Sequence, residues 1–308
     1  MHIFLSGLFL FLFGLEGGKW SIKKASSERL RILMISLDNN VIIALVTGVI
    51  ITAVMQSSSA LSVILIGFIE ARFLKLKTAI CILLGANIGT TFTVQLISLP
   101  ILRYYPYLIL IGLIIITIGM FINSKLIYTG FSFVFFAVVF AGLVIMTDFF
   151  KSESMRQTIL SILKYSDTSI YYGILIGGFT TAIVQSSSAV TGITVSLGIN
   201  NLITIKSAIA IALGSNVGTC ITAFLASINA GRVSRAMARG HFVFNLIGVL
   251  AVLPIFPVFI YIVVNTSDIL VRQIANAHTI FNIFNVIIFL PFLNTFISLI
   301  GGDDDGNI

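Results

Sequence analysis

Two short polar runs carry side chains that could bind ions. Gln56-Ser57-Ser58-Ser59-Ala60 and Gln185-Ser186-Ser187-Ser188-Ala189 each interrupt a long apolar segment. Gly85-Ala86-Asn87-Ile88-Gly89-Thr90 and Gly214-Ser215-Asn216-Val217-Gly218-Thr219 follow them at the same interval, 29 residues from glutamine to first glycine. The hydroxyls of Ser57, Ser58, Ser59, Ser186, Ser187 and Ser188 can donate to an oxyanion such as phosphate. The side-chain oxygens of Gln56, Gln185, Ser57, Ser186, Asn87, Thr90, Asn216 and Thr219 are hard ligands of the kind a small alkali cation takes. Hydrolysis fits poorly, because a serine nucleophile needs a base beside it. The histidines are His2, His241 and His278, and no Gly-x-Ser-x-Gly elbow occurs. Neither a carboxylate pair nor a metal-ligand cluster is visible, so no enzyme and no cofactor is expected, with sodium as the only metal.

These groups need elements that hold them at one place. A lone Ser-Ser-Ser in an apolar run reads most simply as small residues that let membrane helices pack. Duplication changes that reading. Residues 48–98 align with residues 177–227 at a constant offset of 129, without a gap and with 21 identities in 51 positions. The apolar halves around the first run, Ile42–Met55 and Ala60–Ile69, are each too short to cross a bilayer at about 1.5 Å per residue. A re-entrant hairpin turning at Gln-Ser-Ser-Ser is therefore expected in each copy. Backbone at such a turn survives in a membrane only when buried in protein or facing a wet cavity. The two tips should then meet each other, water or an ion. The half-helix after each turn presents free N–H groups and a positive dipole end. With the serines, these suit a phosphate without any fixed positive charge. Residues 41–69 and 168–205 contain no Lys, Arg, Asp or Glu. A proton-coupled carrier usually displays an intramembrane Asp, Glu or His relay, so coupling to sodium is expected instead. The motif glycines are expected to let the backbone bend and approach closely, leaving a broken helix at each Gly-x-Asn-x-Gly-Thr and bringing Asn87, Thr90, Asn216 and Thr219 beside the tips.

Composition sets the class. Of 308 residues, 58% are hydrophobic and only 9% charged, against about 25% charged in a soluble domain. The mean hydropathy is +1.11. Long apolar stretches rather than short alternating strands point to an all-α polytopic membrane protein. The net charge of +7 comes from short basic segments, which set orientation rather than bind nucleic acid. Met1–Gly14 lacks a basic leader and a cleavage site, so it reads as a retained first helix. Lys19–Leu37 and Lys151–Tyr165 read as amphipathic interfacial helices, and Arg232, Arg235 and Arg239 as a basic turn. Lys19–Arg31 and Arg232–Arg239 are placed in the cytoplasm by the positive-inside rule, with the chain in the plasma (inner) membrane. Cys81 and Cys220 should pack as small apolar residues. His241 and His278 each open a His-x-x-Phe-Asn sequence and read as polar helix contacts.

Parity then fixes the arrangement. Three crossings, Thr78–Leu102, Tyr105–Phe121 and Leu126–Met146, separate equivalent points of the two copies, so the second copy should be inverted. The expected division is a first repeat over residues 1–125, a second, inverted repeat over 126–265, a C-terminal transmembrane helix over 266–300 and a polar tail over 301–308. Inverted repeats with interrupted helices are an architecture of secondary transporters that bind substrate near the midplane.

At Gln56–Ala60, Gln185–Ala189, Gly85–Thr90 and Gly214–Thr219, the sequence resembles the type II sodium/phosphate cotransporter family, in its bacterial branch. Phe13-Gly14-Leu15, His241–Asn245 and His278–Asn282 ahead of Phe289-Leu290-Pro291-Phe292 add to the likeness, which covers about residues 5–295. The resemblance implies symport of inorganic phosphate with sodium by alternating access. It also implies a shared site at Gln56, Ser57, Ser58, Ser59, Gln185, Ser186, Ser187 and Ser188, with Asn87, Thr90, Asn216 and Thr219 near it. The partners would be phosphate, sodium and the lipid bilayer, with a homodimer left open. The sequence lacks the large extracellular loop of animal members and the extra aspartate of electrogenic members, so the sodium count stays open. A carrier of another oxyanion, such as sulfate or arsenate, and a non-coupled phosphate channel or sensor are the alternatives.

Overall fold

A computed structural model describes residues 2–35, 40–99 and 104–301. The chain opens with the long helix α1 (His2–Ile35). Two short helices follow, α2 (Val41–Met55) and α3 (Ser58–Glu70), then α4 (Leu76–Ile97), α5 (Tyr105–Ile122) and α6 (Ser124–Phe149). An amphipathic helix α7 (Glu153–Thr168) leads to a second short pair, α8 (Ile170–Val184) and α9 (Ser187–Ile199). After these come α10 (Ile205–Gly218), α11 (Ile221–Ser227), α12 (Arg232–Val252), α13 (Phe256–Val264), α14 (Leu270–Phe289) and α15 (Leu293–Leu299). No strand occurs among the described residues.

Among the described residues, seven stretches are long and apolar enough to cross a membrane: His2–Ile22, Leu76–Ile97, Tyr105–Ile122, Ser124–Phe149, Ile205–Ser227, Arg232–Val264 and Leu270–Leu299. The two short pairs fall below that length. Water does not tolerate the outer surface. On α5 alone, Leu110, Leu113, Ile118, Met120 and Phe121 all point outward, an apolar area far beyond what a soluble monomer exposes. The protein is a multi-pass membrane protein.

Helices α2 and α4 touch backbone to backbone. A Cβ on Gly85 would lie 1.9 Å from the Leu45 carbonyl oxygen, one on Gly48 1.9 Å from that of Ile82, and one on Gly89 2.5 Å from that of Val49. The second copy repeats each contact at the offset of 129. Gly214 meets Ile174 at 1.9 Å, Gly177 meets Ile211 at 2.0 Å and Gly218 meets Gly178 at 2.3 Å. Along both seams the partners advance together, so α2 runs parallel to α4, and α8 to α10.

A third seam joins α1 to α6. Gly14 lies against Val139 N and Phe135 O, while Gly142 lies against Phe11 N and Gly7 O. Gly142 is the counterpart of Gly14 at an offset of 128, and Phe135 and Val139 are the counterparts of Gly7 and Phe11. The contact therefore maps onto itself when positions 128 apart are exchanged. Residue numbers rise along α1 as they fall along α6, from Gly7 against Met146 to Ser21 Oγ at 2.9 Å from Ser132 Oγ. The two helices are antiparallel.

Another correspondence is visible in the last four helices. His278 follows His241 by 37 residues, as Asn282 follows Asn245 and Pro291 follows Pro254. Both prolines lie in 3-10 turns, Leu253–Ile255 and Leu290–Phe292, that join α12 to α13 and α14 to α15. Gly248 and its counterpart Asn285 face one another, with a Cβ on Gly248 only 2.4 Å from the Asn285 amide.

Three expectations are corrected. The first Gly-x-Asn-x-Gly-Thr does not break its helix, since α4 runs without interruption through Gly85–Thr90. Of the two roles expected of its glycines, the close approach to α2 is met and the bend is not. In the second copy the interruption falls at Thr219–Cys220, after the last motif glycine. The first apolar segment and the basic segment after it form one helix, α1, not two. The side chains of Lys23, Arg29 and Arg31, expected along that interface, lie outside the described residues. Lastly, Arg232, Arg235 and Arg239 belong to the first turns of α12 rather than to a loop, and Arg239 donates to the Ile300 carbonyl at 2.9 Å.

The end of α3 is tied to the start of α12. Glu70 accepts from Ser234 Oγ at 2.5 Å and from the Gly231 N–H at 2.6 Å. These two bonds, the serine's first, hold its carboxyl below the ordinary range.

Two outcomes follow from these contacts. Gly85→Ala or Gly214→Ala should cost about 3 kcal/mol or prevent folding, whereas Gly67→Ala, with open space at its Cβ, should not lower the thermal midpoint in detergent. A depressed carboxyl contributes stability that is complete above the unfolded-state pKa and fades as pH falls through the folded one. Wild-type protein should therefore lose thermal midpoint relative to Glu70→Gln as pH drops below about 4.5; parallel pH profiles would dismiss the Glu70 tie.

Candidate functional site

The site is built from the two turns between short helices. Gln56 ends α2 and Gln185 ends α8, both in the left-handed region at φ 53° and φ 57°. Left-handed backbone costs a non-glycine residue about 1–2 kcal/mol, so the glutamine side chains are held there against local preference. Each N–H closes the preceding helix, Gln56 N donating to Thr52 O at 2.6 Å and Gln185 N to Thr181 O at 2.7 Å. The next residue is extended and caps the following helix. Ser57 Oγ accepts from Ala60 N at 3.1 Å and Ser186 Oγ accepts from Ala189 N at 3.3 Å. Leu61 N and Val190 N bond back to the Ser57 and Ser186 carbonyls. At the first turns of α3 and α9, the N–H groups of Ser58, Ser59, Ser187 and Ser188 are the ones left without an intrahelical acceptor. Four donors from two helix starts thus stand at one place.

The tips meet. Ser59 Oγ lies 3.5 Å from the Gln185 carbonyl oxygen. Both runs line a cavity of about 20 Å³ together with Thr90 and Lys19. That space holds roughly one water molecule, or an ion of similar size. Beside it opens a vestibule of about 940 Å³, lined by Ser57, Ser59, Gln185, Ser186 and Thr222 and by Leu12, Leu15, Glu16 and Lys19 of α1. Two pairs of equivalent residues differ in exposure: Gln56 is buried and Gln185 exposed, while Ser59 is half-buried and Ser188 buried.

The structure brings Gln56, Gln185, Ser57, Ser58, Ser59, Ser186, Ser187, Ser188 and Thr90 together in one lining. It places the other three apart from that lining. Asn87 lies 3.5 Å from Asn245 on α12. Asn216 Oδ1 lies 3.2 Å from His278 Nε2 on α14. Thr219 bonds back to the Ser215 carbonyl at 2.9 Å. His278 thus makes the polar helix contact its sequence suggested, while both ring nitrogens of His241 are buried without a partner. Cys81 and Cys220 are free and buried. Among the described residues no group of three or more His, Cys, Asp or Glu could hold a metal.

Sequence reasoning missed two features. Lys19 belongs to the lining, so the tips do not lack a fixed positive charge. Thr52 and Thr181, one turn ahead of the glutamines, are fully buried with unpartnered hydroxyls. Their identity in the alignment at an offset of 129 was the available signal.

A twofold-repeated, all-helical membrane scaffold that presents paired polar turns over a cavity defines a transporter-like class of protein. Comparison with known proteins agrees. The Na+/Pi-cotransporter family model matches residues 10–148 and again residues 150–290, and the chain belongs to that family of transporters. It is 33% identical over 258 residues to the uncharacterized protein YqeW of Bacillus subtilis, covering 82% of this chain and 83% of that one. Similarity to the putative inorganic phosphate export protein YjbB of Salmonella typhimurium is 25% over 268 residues, 87% of this chain but 48% of that protein's length. A 90-residue stretch is 47% identical to the human sodium-dependent phosphate transport protein 2B, 28% of this chain and 13% of that one. No solved structure matches.

Gln56→Gly and Gln185→Gly separate side chain from backbone. Glycine adopts the left-handed turn freely, so thermal stability should hold or rise by about 1 kcal/mol. Ligand-dependent stabilisation by sodium should nevertheless disappear. Retained sodium stabilisation in both variants would remove the glutamine oxygens from the site.

Proposed function

We propose that the protein carries inorganic phosphate across the plasma (inner) membrane by sodium-coupled symport, with both ligands held where the two Gln-Ser-Ser-Ser turns meet. One observation carries this reading: repeat-equivalent turns from α2–α3 and α8–α9 converge on a single cavity lined by both glutamines and all six motif serines, at two helix starts whose first N–H groups lack intrahelical acceptors. Helix starts and hydroxyls without a carboxylate suit an oxyanion. Glutamine, serine and Thr90 oxygens suit sodium. Membership of the family and the phosphate transport named for its relatives support the substrate. Sodium dependence is named for the human relative.

Several contacts support the finer architecture. Helices α2 and α4 run parallel, and only five residues separate α3 from α4, so α3 returns in the opposite direction to both, as a re-entrant hairpin requires. The antiparallel, self-complementary seam of α1 and α6 is what two inverted repeats would make. Residues 1–125 then form the first repeat and 126–265 the second, with the helix over 266–300 related to α12 and α13. The unequal exposure of equivalent tip residues suits one state of an alternating-access cycle. In that cycle sodium binds first and offsets the repulsion between helix carbonyls and the anion.

The word export in the Salmonella relative's name favours a second reading of direction. Proteoliposomes test both. Radiolabelled phosphate should accumulate above equilibrium only with an inward sodium gradient, and unlabelled sulfate should compete weakly. Accumulation against the sodium gradient would favour sodium-antiported export. Equilibration with any cation would indicate a channel.

A further inference from the structure

The face that α1 turns to the site is set by its packing. Gly7, Gly14, Gly17 and Ser21 point into α6, where a Cβ on Gly17 would collide with the Phe135 ring at 2.2 Å. Rotation about the helix axis is fixed by that seam. Leu12, Leu15, Glu16 and Lys19, at helical spacing, consequently line the vestibule. Lys19 also reaches the small cavity at the tips and is the charged member of its lining.

The state of this lysine is informative. Its side chain is 19% exposed and is paired with Glu16, whose side chain is 72% exposed. An ammonium set beside four unpaired N–H groups adds positive charge to an already positive place. Glu16 supplies the balancing charge from the solvent side, and an exposed carboxylate of this kind is a weak partner. The counterpart of Lys19, at the offset that relates Gly14 to Gly142, is Thr147. That residue is buried and lies 3.0 Å from Ser196 Oγ. The fixed cation therefore has no equivalent at the related position, and it stands where the vestibule and the small cavity share a lining.

We propose that Lys19 is a substrate-binding residue, held by Glu16 when the site is empty and passed to the oxyanion when it enters. The inference rests on the phosphate reading above. A charge-assisted hydrogen bond from the ammonium to a phosphate oxygen replaces the exposed ion pair. Glu16 then repels the anion until the lysine has changed partner, so it tunes affinity rather than binding substrate.

Sodium-driven phosphate uptake by wild type, Lys19→Gln, Lys19→Arg and Glu16→Gln in proteoliposomes tests this. Lys19→Gln should raise the KM for phosphate about tenfold or more, in line with the strength of hydrogen bonds to charged groups, and move the KM for sodium less than about twofold. Lys19→Arg should restore most of the phosphate affinity, and Glu16→Gln should lower the phosphate KM. Stabilisation by inorganic phosphate in a thermal-shift assay provides the same comparison for any variant that folds but does not turn over. An unchanged phosphate KM in Lys19→Gln, with wild-type uptake intact, overturns the role of Lys19 alone. Equal shifts in the phosphate and sodium KM values would also overturn it, by marking Lys19 as merely structural. Wild type that neither carries nor is stabilised by phosphate overturns the phosphate reading and this inference with it.

Discussion

Opening a helix inside a bilayer exposes backbone groups that lipid cannot satisfy, and the rest of this structure answers that constraint. At Gln56–Ser57 and Gln185–Ser186 the chain leaves one helix and starts another. Each turn closes as much of its own backbone as it can. The glutamine N–H bonds back to a threonine carbonyl, and the serine hydroxyl caps the next helix. What remains is a set of donors at the helix starts. They can be left unpaired only because the two turns face each other across a polar cavity. The groups that the turns leave open for structural reasons are the ones the proposed binding would use.

The turns stay in place because their supporting helices pack without intervening side chains. Gly85 against Leu45 and Gly214 against Ile174 bring backbones so close that no Cβ fits. In a membrane, where lipid is as apolar as leucine, such contact is a main source of helix association. It also explains what the sequence could and could not disclose. The 129-residue repeat, the two turns and their convergence were legible, because polar residues in an apolar segment have few other uses. The role of the motif glycines was half legible, because bending and close approach were both expected of them. Glycine serves bending and close approach equally well, and only the position of Leu45 and Val49 against Gly85 and Gly89 separates the two. Lys19 was misread for a related reason. Its charge and apolar neighbours fit an interfacial helix, and the rotation that aims it at the tips depends on Phe135 and Val139, more than a hundred residues away.

The last four helices were half legible. His241–Asn245 and His278–Asn282 were visible as a repeated motif, but the 37-residue relation extends through Pro254 and Pro291 to the facing pair Gly248 and Asn285. Where equivalent positions confront each other across a twofold relation, two identical bulky side chains would occupy the same space. A glycine opposite an asparagine resolves the conflict, and Asn285 Nδ2 uses the room to donate to the Phe244 carbonyl at 3.2 Å. Perfect symmetry is therefore excluded at this point by packing alone.

Elsewhere, symmetry and asymmetry are sharply divided. The glycine contacts of α2 on α4 agree with those of α8 on α10 to within about 0.2 Å. The four left-handed non-glycine residues form two equivalent pairs, Gln56 with Gln185 and Arg72 with Asn201. Yet Gln56 is buried where Gln185 is exposed, and Asn216 meets His278 while the corresponding His241 nitrogens find no partner. The differences lie between the paired-helix units and their surroundings, not within the units. Close packing resists continuous deformation, and a seam with no room for a methyl group resists it most. An exchange of environments between the two repeats would accordingly move each seam as a body. The contacts that change would be those made by the tips, by α1 and by the Asn–His pairs on α12 and α14.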